Sequence, residues 1–176
     1  LPAGYSYINY TYYDAQGLPI KNFAGTSHAV NAYGKLMFPS YGGNLLAATT
    51  FNPPFCFVSD KFRLYMHEST DNGNTWTYRA INESTYPNIW LEEPSICDLG
   101  HGKMIMHIRT STDTCEPSAI GPLLQSYSYD EGDTWTTPTS LQINGAQAAY
   151  LYKTSKGVLI SAFRLRPNYQ FPSQNT

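Results

Sequence analysis

Apolar and polar residues alternate along this chain in short runs, and nowhere do they keep the spacing of an amphipathic helix. Phe62-Arg63-Leu64-Tyr65-Met66 and Met104-Ile105-Met106-His107-Ile108 are two such runs. They are rich in Tyr, Val, Ile, Phe, Thr and Trp and are separated by Gly, Asn, Asp, Ser or Pro, as β-strands bounded by turns are. Short strands at this spacing predict an all-β sandwich, barrel or propeller. Internal repetition decides among them.

The chain repeats itself. Ser69-Thr70-Asp71-Asn72-Gly73-Asn74-Thr75-Trp76 is matched by Ser128-Tyr129-Asp130-Glu131-Gly132-Asp133-Thr134-Trp135, with Ser-x-Asp-x-Gly-x-Thr-Trp in common. From position 71 to position 130 the interval is 59 residues. The pattern suits a tight hairpin: Asp accepts hydrogen bonds from the amides that follow, Gly takes a positive φ, and Trp plugs the returning strand. A second repeat sets a turn glycine before an apolar strand, at Gly34-Lys35-Leu36-Met37-Phe38, Gly102-Lys103-Met104-Ile105-Met106 and Gly157-Val158-Leu159-Ile160-Ser161. Seven residues beyond these glycines stand Tyr41, Arg109 and Arg164, which the alternation of strand faces orients alike.

Together the repeats predict units of four antiparallel strands. In the second unit these are Pro94 to Leu99, Lys103 to Arg109, Leu124 to Tyr129 and Trp135 to Leu141. The reading is a single partial β-propeller domain over residues 1–176: 1–24 end a preceding blade, 25–85 form a first blade, 86–145 a second, and 146–176 begin a third. The 176 residues alone would read as one ordinary domain, but at 59 residues per interval they make about three units.

Composition narrows the function classes. A net charge of -2 without a basic cluster argues against nucleic acid as the partner, and no apolar run reaches the length of a membrane helix. Cys56, Cys97 and Cys115 allow at most one internal disulfide. Two sequons, at Asn9 and Asn82, point to an extracellular or periplasmic location. His28, His67, His101 and His107 lack metal-ligand spacing, and the acids of the repeated hairpin lack the full calcium loop, so no metal or cofactor is expected.

Ser-x-Asp-x-Gly-x-Thr-Trp at a hairpin is the Asp box, and over roughly residues 25 to 166 the chain resembles the sialidase-like (BNR-repeat) β-propellers. The resemblance implies four-stranded antiparallel blades, about three of them here against the family's usual six. It implies a glycoside hydrolase acting on a terminal, acidic sugar; the alternative is a non-catalytic BNR-repeat propeller that binds glycans or proteins. The Asp boxes lie on the face away from the site. The stretch Glu92-Glu93-Pro94-Ser95, followed by the strand to Arg109, looks like the family segment that carries a catalytic Glu and a carboxylate-binding Arg. Glu93 is therefore the candidate that draws the proton from a Tyr nucleophile. Arg109 is a candidate carboxylate ligand, since a guanidinium forks onto a planar anion, and Arg164 is a second by its matching offset. Asp60 stands where the family's general acid/base is expected, Tyr41 projects toward the same face, and Glu116-Pro117-Ser118 echoes the Glu93 segment. Where the family opens with Arg-Ile-Pro, this chain has Thr26-Ser27-His28-Ala29-Val30, so that arginine has no counterpart here. A partial ring leaves strand edges open, which predicts self-association.

Overall fold

The computed structural model describes residues 12–13, 19–25, 27–44, 63–83, 89–111 and 121–166. Among these residues every regular element is a β-strand, and the strands form three antiparallel sheets. The first sheet holds β1 (Tyr12–Tyr13), β2 (Pro19–Ala24), β3 (Ala29–Val30), β4 (Leu36–Asn44), β5 (Arg63–Ser69) and β6 (Thr77–Glu83), in the order β1-β2-β4-β5-β6 with β3 also on β4. The second is a meander of β7 (Trp90–Gly100), β8 (Lys103–Ser111), β9 (Pro122–Ser128) and β10 (Thr139–Asn144). The third pairs β11 (Ala146–Lys153) with β12 (Leu159–Leu165). The sheets stand side by side, β7 packing on β4 and β11 packing on β7 and β8.

Local chemistry explains where these strands depart from the boundaries expected above. Residues 19–24, read from sequence as the tail of a preceding unit, hydrogen-bond to β4 in the same sheet as β5, with Ala24 opposite Ser40 and Ala29 of β3 opposite Met37. Gly25 joins the two segments. Its amide donates to the Pro39 carbonyl at 2.8 Å, and a Cβ there would come within 2.4 Å of the Pro94 carbonyl oxygen. β7 begins upstream of Pro94, because a β-bulge absorbs the residue that lacks an N–H. β10 starts at Thr139 instead of Trp135, since Pro138 has no ladder donor to offer.

The two repeated octapeptides are hairpins with the same bonds. Asp71 Oδ1 accepts from the Thr75 amide and Asp130 Oδ1 from the Thr134 amide, each at 2.8 Å. Ser69 Oγ and Ser128 Oγ donate to those carboxylates at 2.8 Å and accept the amides of Gly73 and Gly132 at 2.8 and 2.9 Å. Trp76 and Trp135 each donate the indole N–H to the glycine carbonyl, at 3.1 and 3.0 Å. Asp71 is held down to about 2 by the hydroxyl and amide of Thr75 and the hydroxyl of Ser69.

Both faces of β8 are covered, so nearly the whole strand is buried and its centre, Met104 to Ile108, is mostly apolar. Met104, Met106 and Ile108 join Met37, Leu64, Met66, Leu91 and Ile96 in the core between the first and second sheets. On the opposite face Ile105 packs with Cys97 and Leu151 of the third sheet, and His107 Nδ1 lies 2.9 Å from Ser161 Oγ. A strand buried on both faces has little room for polar residues. Two serines repeat as links between sheets: Ser27 Oγ accepts the Ile96 amide at 2.7 Å, and Ser95 Oγ accepts the Leu151 amide at 2.9 Å.

Candidate functional site

At the end of the sheets away from the repeated hairpins, the backbone repeats but the side chains diverge. Glu92 pairs with Arg109 across β7 and β8, and Gln147 pairs with Arg164 across β11 and β12. Each pair is followed by the same bulge, Glu92 to Ser95 opposing Arg109 to His107, and Gln147 to Tyr150 opposing Arg164 to Ala162. The residue after each is left-handed, Glu93 at φ 43° and Ala148 at φ 48°. A left-handed residue with a β-carbon costs on the order of 1 kcal/mol, so the neighbours must hold it there. Tyr41 occupies the corresponding place on β4, opposite Phe23 and Leu64. The seven-residue offset read from sequence therefore coincides with one register position in three sheets.

The two bulges are tied to each other. Glu93 Oε2 accepts the Ala148 amide at 2.6 Å, across the gap between the second and third sheets. Its other oxygen, Oε1, takes the Arg109 Nη1 donor at 2.8 Å, and Glu92 Oε2 lies 3.0 Å from that same nitrogen. Ser111 Oγ donates to Glu92 Oε1 at 2.8 Å. Two adjacent carboxylates thus share one guanidinium nitrogen.

Glu92 is 8% exposed, and burial raises its pKa above the ordinary glutamate value. Arg109, the Ser111 hydroxyl and Arg166 oppose that rise, and the charge of Glu93 adds to it. Tyr41 is pushed up to about 12, first by burial and then by the charges of Glu93 and Glu92, against the pull of Arg109. Its phenol therefore stays protonated at neutral pH.

Beside this cluster lies a cleft of about 420 Å³ lined by Arg109, Gln147, Arg164 and Arg166. Arg164 donates to the neutral Gln147 Oε1, and among the described residues neither Arg164 nor Arg166 has a carboxylate partner within salt-bridge reach. Three guanidinium groups facing two carboxylates leave a net positive charge at the mouth, which suits an anion with planar oxygens.

Of the residues singled out by sequence, the structure brings Glu93, Arg109 and Arg164 to one site and puts Tyr41 in the same electrostatic field. Asp60 and Glu116 lie outside the described residues, as do Cys56 and Cys115. Cys97 is a free, buried thiol whose pKa is raised by that burial. Among the described residues no His, Cys, Asp or Glu cluster could hold a metal ion, and no helix is long and apolar enough to cross a membrane. Sequence reasoning passed over Gln147, Ser111 and Arg166 and noted Glu92 only as one acid of the cluster. Arg166 had a readable signal, being one strand period beyond Arg164. Gln147 had none apart from the register, because its match to Glu92 depends on where the bulge falls.

Fold and site together define an all-β repeat protein with a cationic cleft at one end of its sheets. Residues 11–168 match the BNR repeat-like domain, and the chain belongs to that family. Among solved structures it is similar to a protein from Dyadobacter fermentans whose function is described as unknown, with a TM-score of 0.61 and 16% sequence identity. That match covers 86% of this chain and 36% of the other, so the segment spans about a third of its neighbour's length. At this identity the likeness speaks for the fold alone. No curated protein sequence matches the chain.

Proposed function

We propose that the three sheets are successive blades of a sialidase-like β-propeller, that the two hairpins are its Asp boxes, and that the cleft recognises the carboxylate of a terminal acidic sugar. One observation carries the ligand class: Arg109, Arg164 and Arg166 converge on a single cleft in which, among the described residues, only Arg109 is paired with carboxylates. In the whole protein the reaction is hydrolysis of the glycosidic bond of that sugar, with Glu93 and Asp60 as the proposed proton-transfer groups and Tyr41 as a ligand-binding phenol. No Tyr is assigned here as the nucleophile, and Tyr41 lies outside the family's nucleophile motif. The same observation supports the rival reading, a propeller that binds acidic glycans without cleaving them. We also carry forward an extracytoplasmic location, and self-association through exposed blade edges; among the described residues β12 pairs with β11 alone, and its Leu159 and Ile160 are exposed.

Turnover of a fluorogenic sialoside and binding of free N-acetylneuraminate decide between the two readings. Hydrolysis that falls about 100-fold or more in Glu93→Gln supports the enzyme. Binding without turnover in the full-length protein supports the glycan-binding propeller, and the absence of both overturns the acidic-sugar assignment. A monomer by light scattering overturns the self-association.

A further inference from the structure

Glu92 and Glu93 are neighbours in sequence and share one nitrogen of Arg109, yet their surroundings differ. Each has one partner per oxygen: Glu93 holds Arg109 with one and caps the left-handed Ala148 with the other, and Glu92 holds Arg109 with one and accepts from Ser111 with the other. Glu92 is the more deeply buried of the two, and the bond it receives from an uncharged partner is the Ser111 hydroxyl. The charged and titratable groups acting on it are Arg109 from β8, Glu93 on its own strand, Arg166 just beyond β12, and Tyr41 from β4. Two of these are cations that also line the cleft. An anion seated there draws on the same guanidinium charge that keeps Glu92 ionised.

We propose that Glu92 is the carboxyl of the cleft that takes one proton from solvent when an acidic sugar occupies Arg109, Arg164 and Arg166, while Glu93 remains bonded to Arg109 and to the Ala148 amide. This rests on the acidic-sugar reading of the cleft. Two carboxylates and a ligand anion crowded on one side of Arg109 cannot all keep their charge at low cost in a buried site, and the less solvated carboxylate, Glu92, gives way. No other proton need move. The carboxylate of Glu92 becomes a neutral acid, its Oε1 still accepts from Ser111, and Arg109 is released toward the ligand.

The sign follows from linkage. A bound anion raises the Glu92 pKa further above its already raised free value. Affinity is then full below the free-state value, falls by up to about tenfold per pH unit between the free and bound values, and levels off above the bound value.

The test is titration calorimetry of the full chain with N-acetylneuraminate and with glucuronate, at several pH values and in two buffers of different ionisation enthalpy. The expected result is a buffer-dependent heat showing uptake of up to one proton, with affinity weakening as pH rises above the ordinary glutamate range. Glu92→Gln abolishes both the uptake and the pH dependence, whereas Glu93→Gln, which removes a charge that raises the Glu92 pKa, moves the window to lower pH without abolishing it. Ser111→Ala, which retains the carboxyl and serves if Glu92→Gln does not fold, moves the window to higher pH. Binding with no buffer-dependent heat, or uptake that persists in Glu92→Gln, overturns the role of Glu92 and leaves the acidic-sugar reading standing. No binding of either sugar at any pH overturns that reading, and this inference with it.

Discussion

The two ends of the sheets repeat in opposite ways. At the hairpin end the residues recur and the hydrogen bonds recur with them: Ser, Asp, Gly, Thr and Trp make the same contacts in both copies. At the cleft end the backbone of the second and third sheets recurs, bulge for bulge, while Glu92 and Arg109 are replaced by Gln147 and Arg164; in the first sheet Tyr41 stands at the same offset on an unbulged ladder. A hairpin closes its own hydrogen bonds, so each copy serves the same structural purpose wherever it occurs. A cleft needs different groups from each sheet. Chemistry therefore sits where the repeat breaks down at the level of side chains.

The largest test removes the group on which the cleft turns. Arg109→Ala leaves Glu92 and Glu93 without their shared cation and should lower stability by about 3 kcal/mol in chemical denaturation while abolishing anion binding. A loss of binding with unchanged stability would mean that the glutamates do not depend on it.

Next come the hairpin glycines, alike in sequence but not in surroundings. A Cβ at Gly132 would lie 2.3 Å from Met37 Cε and 3.1 Å from Met104 Sδ, whereas at Gly73 the nearest atom is Leu36 Cδ1 at 3.7 Å. Both have φ near the left-handed region, 88° and 86°. Gly132→Ala should cost about 2 to 3 kcal/mol, from backbone strain and overpacking together, and Gly73→Ala about 1 kcal/mol from strain alone. Equal costs would show that the two hairpins are interchangeable in context as well as in sequence.

Arg164→Ala should weaken acidic-sugar binding by roughly tenfold, about 1.4 kcal/mol, and leave the melting temperature unmoved, since its partner Gln147 is neutral. A comparable fall in stability would place Arg164 with the structural residues.

The smallest effect is in acid. The Asp71 carboxyl is depressed to about 2 from an ordinary 3.8, so the stability it contributes is complete above the ordinary value and is lost as pH falls through the folded one. Asp71→Asn should flatten the acid limb of the unfolding curve in that window, with its small loss of stability showing at neutral pH and vanishing below the folded value.

Much of this was legible in the chain before any coordinates. The hairpins could be read because their bonds join residues no more than four apart, as Ser69 to Gly73 and Asp71 to Thr75 do. The matching positions of Tyr41, Arg109 and Arg164 could be read because a strand keeps a period of two from a marked glycine. The bulges could not, since whether Glu93 or Pro94 absorbs the extra residue depends on how β7 registers with β8. Nor could the start of the first unit: Pro19–Ala24 resembles any short strand, and its partner β4 was settled by tertiary packing through a gap that a Cβ at Gly25 would close.

The sequence by itself therefore determined most of the strands, the two hairpins and the shared orientation of Tyr41, Arg109 and Arg164, because each follows from contacts local in the chain or from the alternation of one strand. Only the tertiary structure decided what those residues do to one another. Glu93 is tied to an amide 55 positions away, Glu92 is buried beside it on the same guanidinium, and Arg166 is brought round to the cleft. Burial and charge sum over every neighbour in space, and those neighbours are set by how three sheets pack.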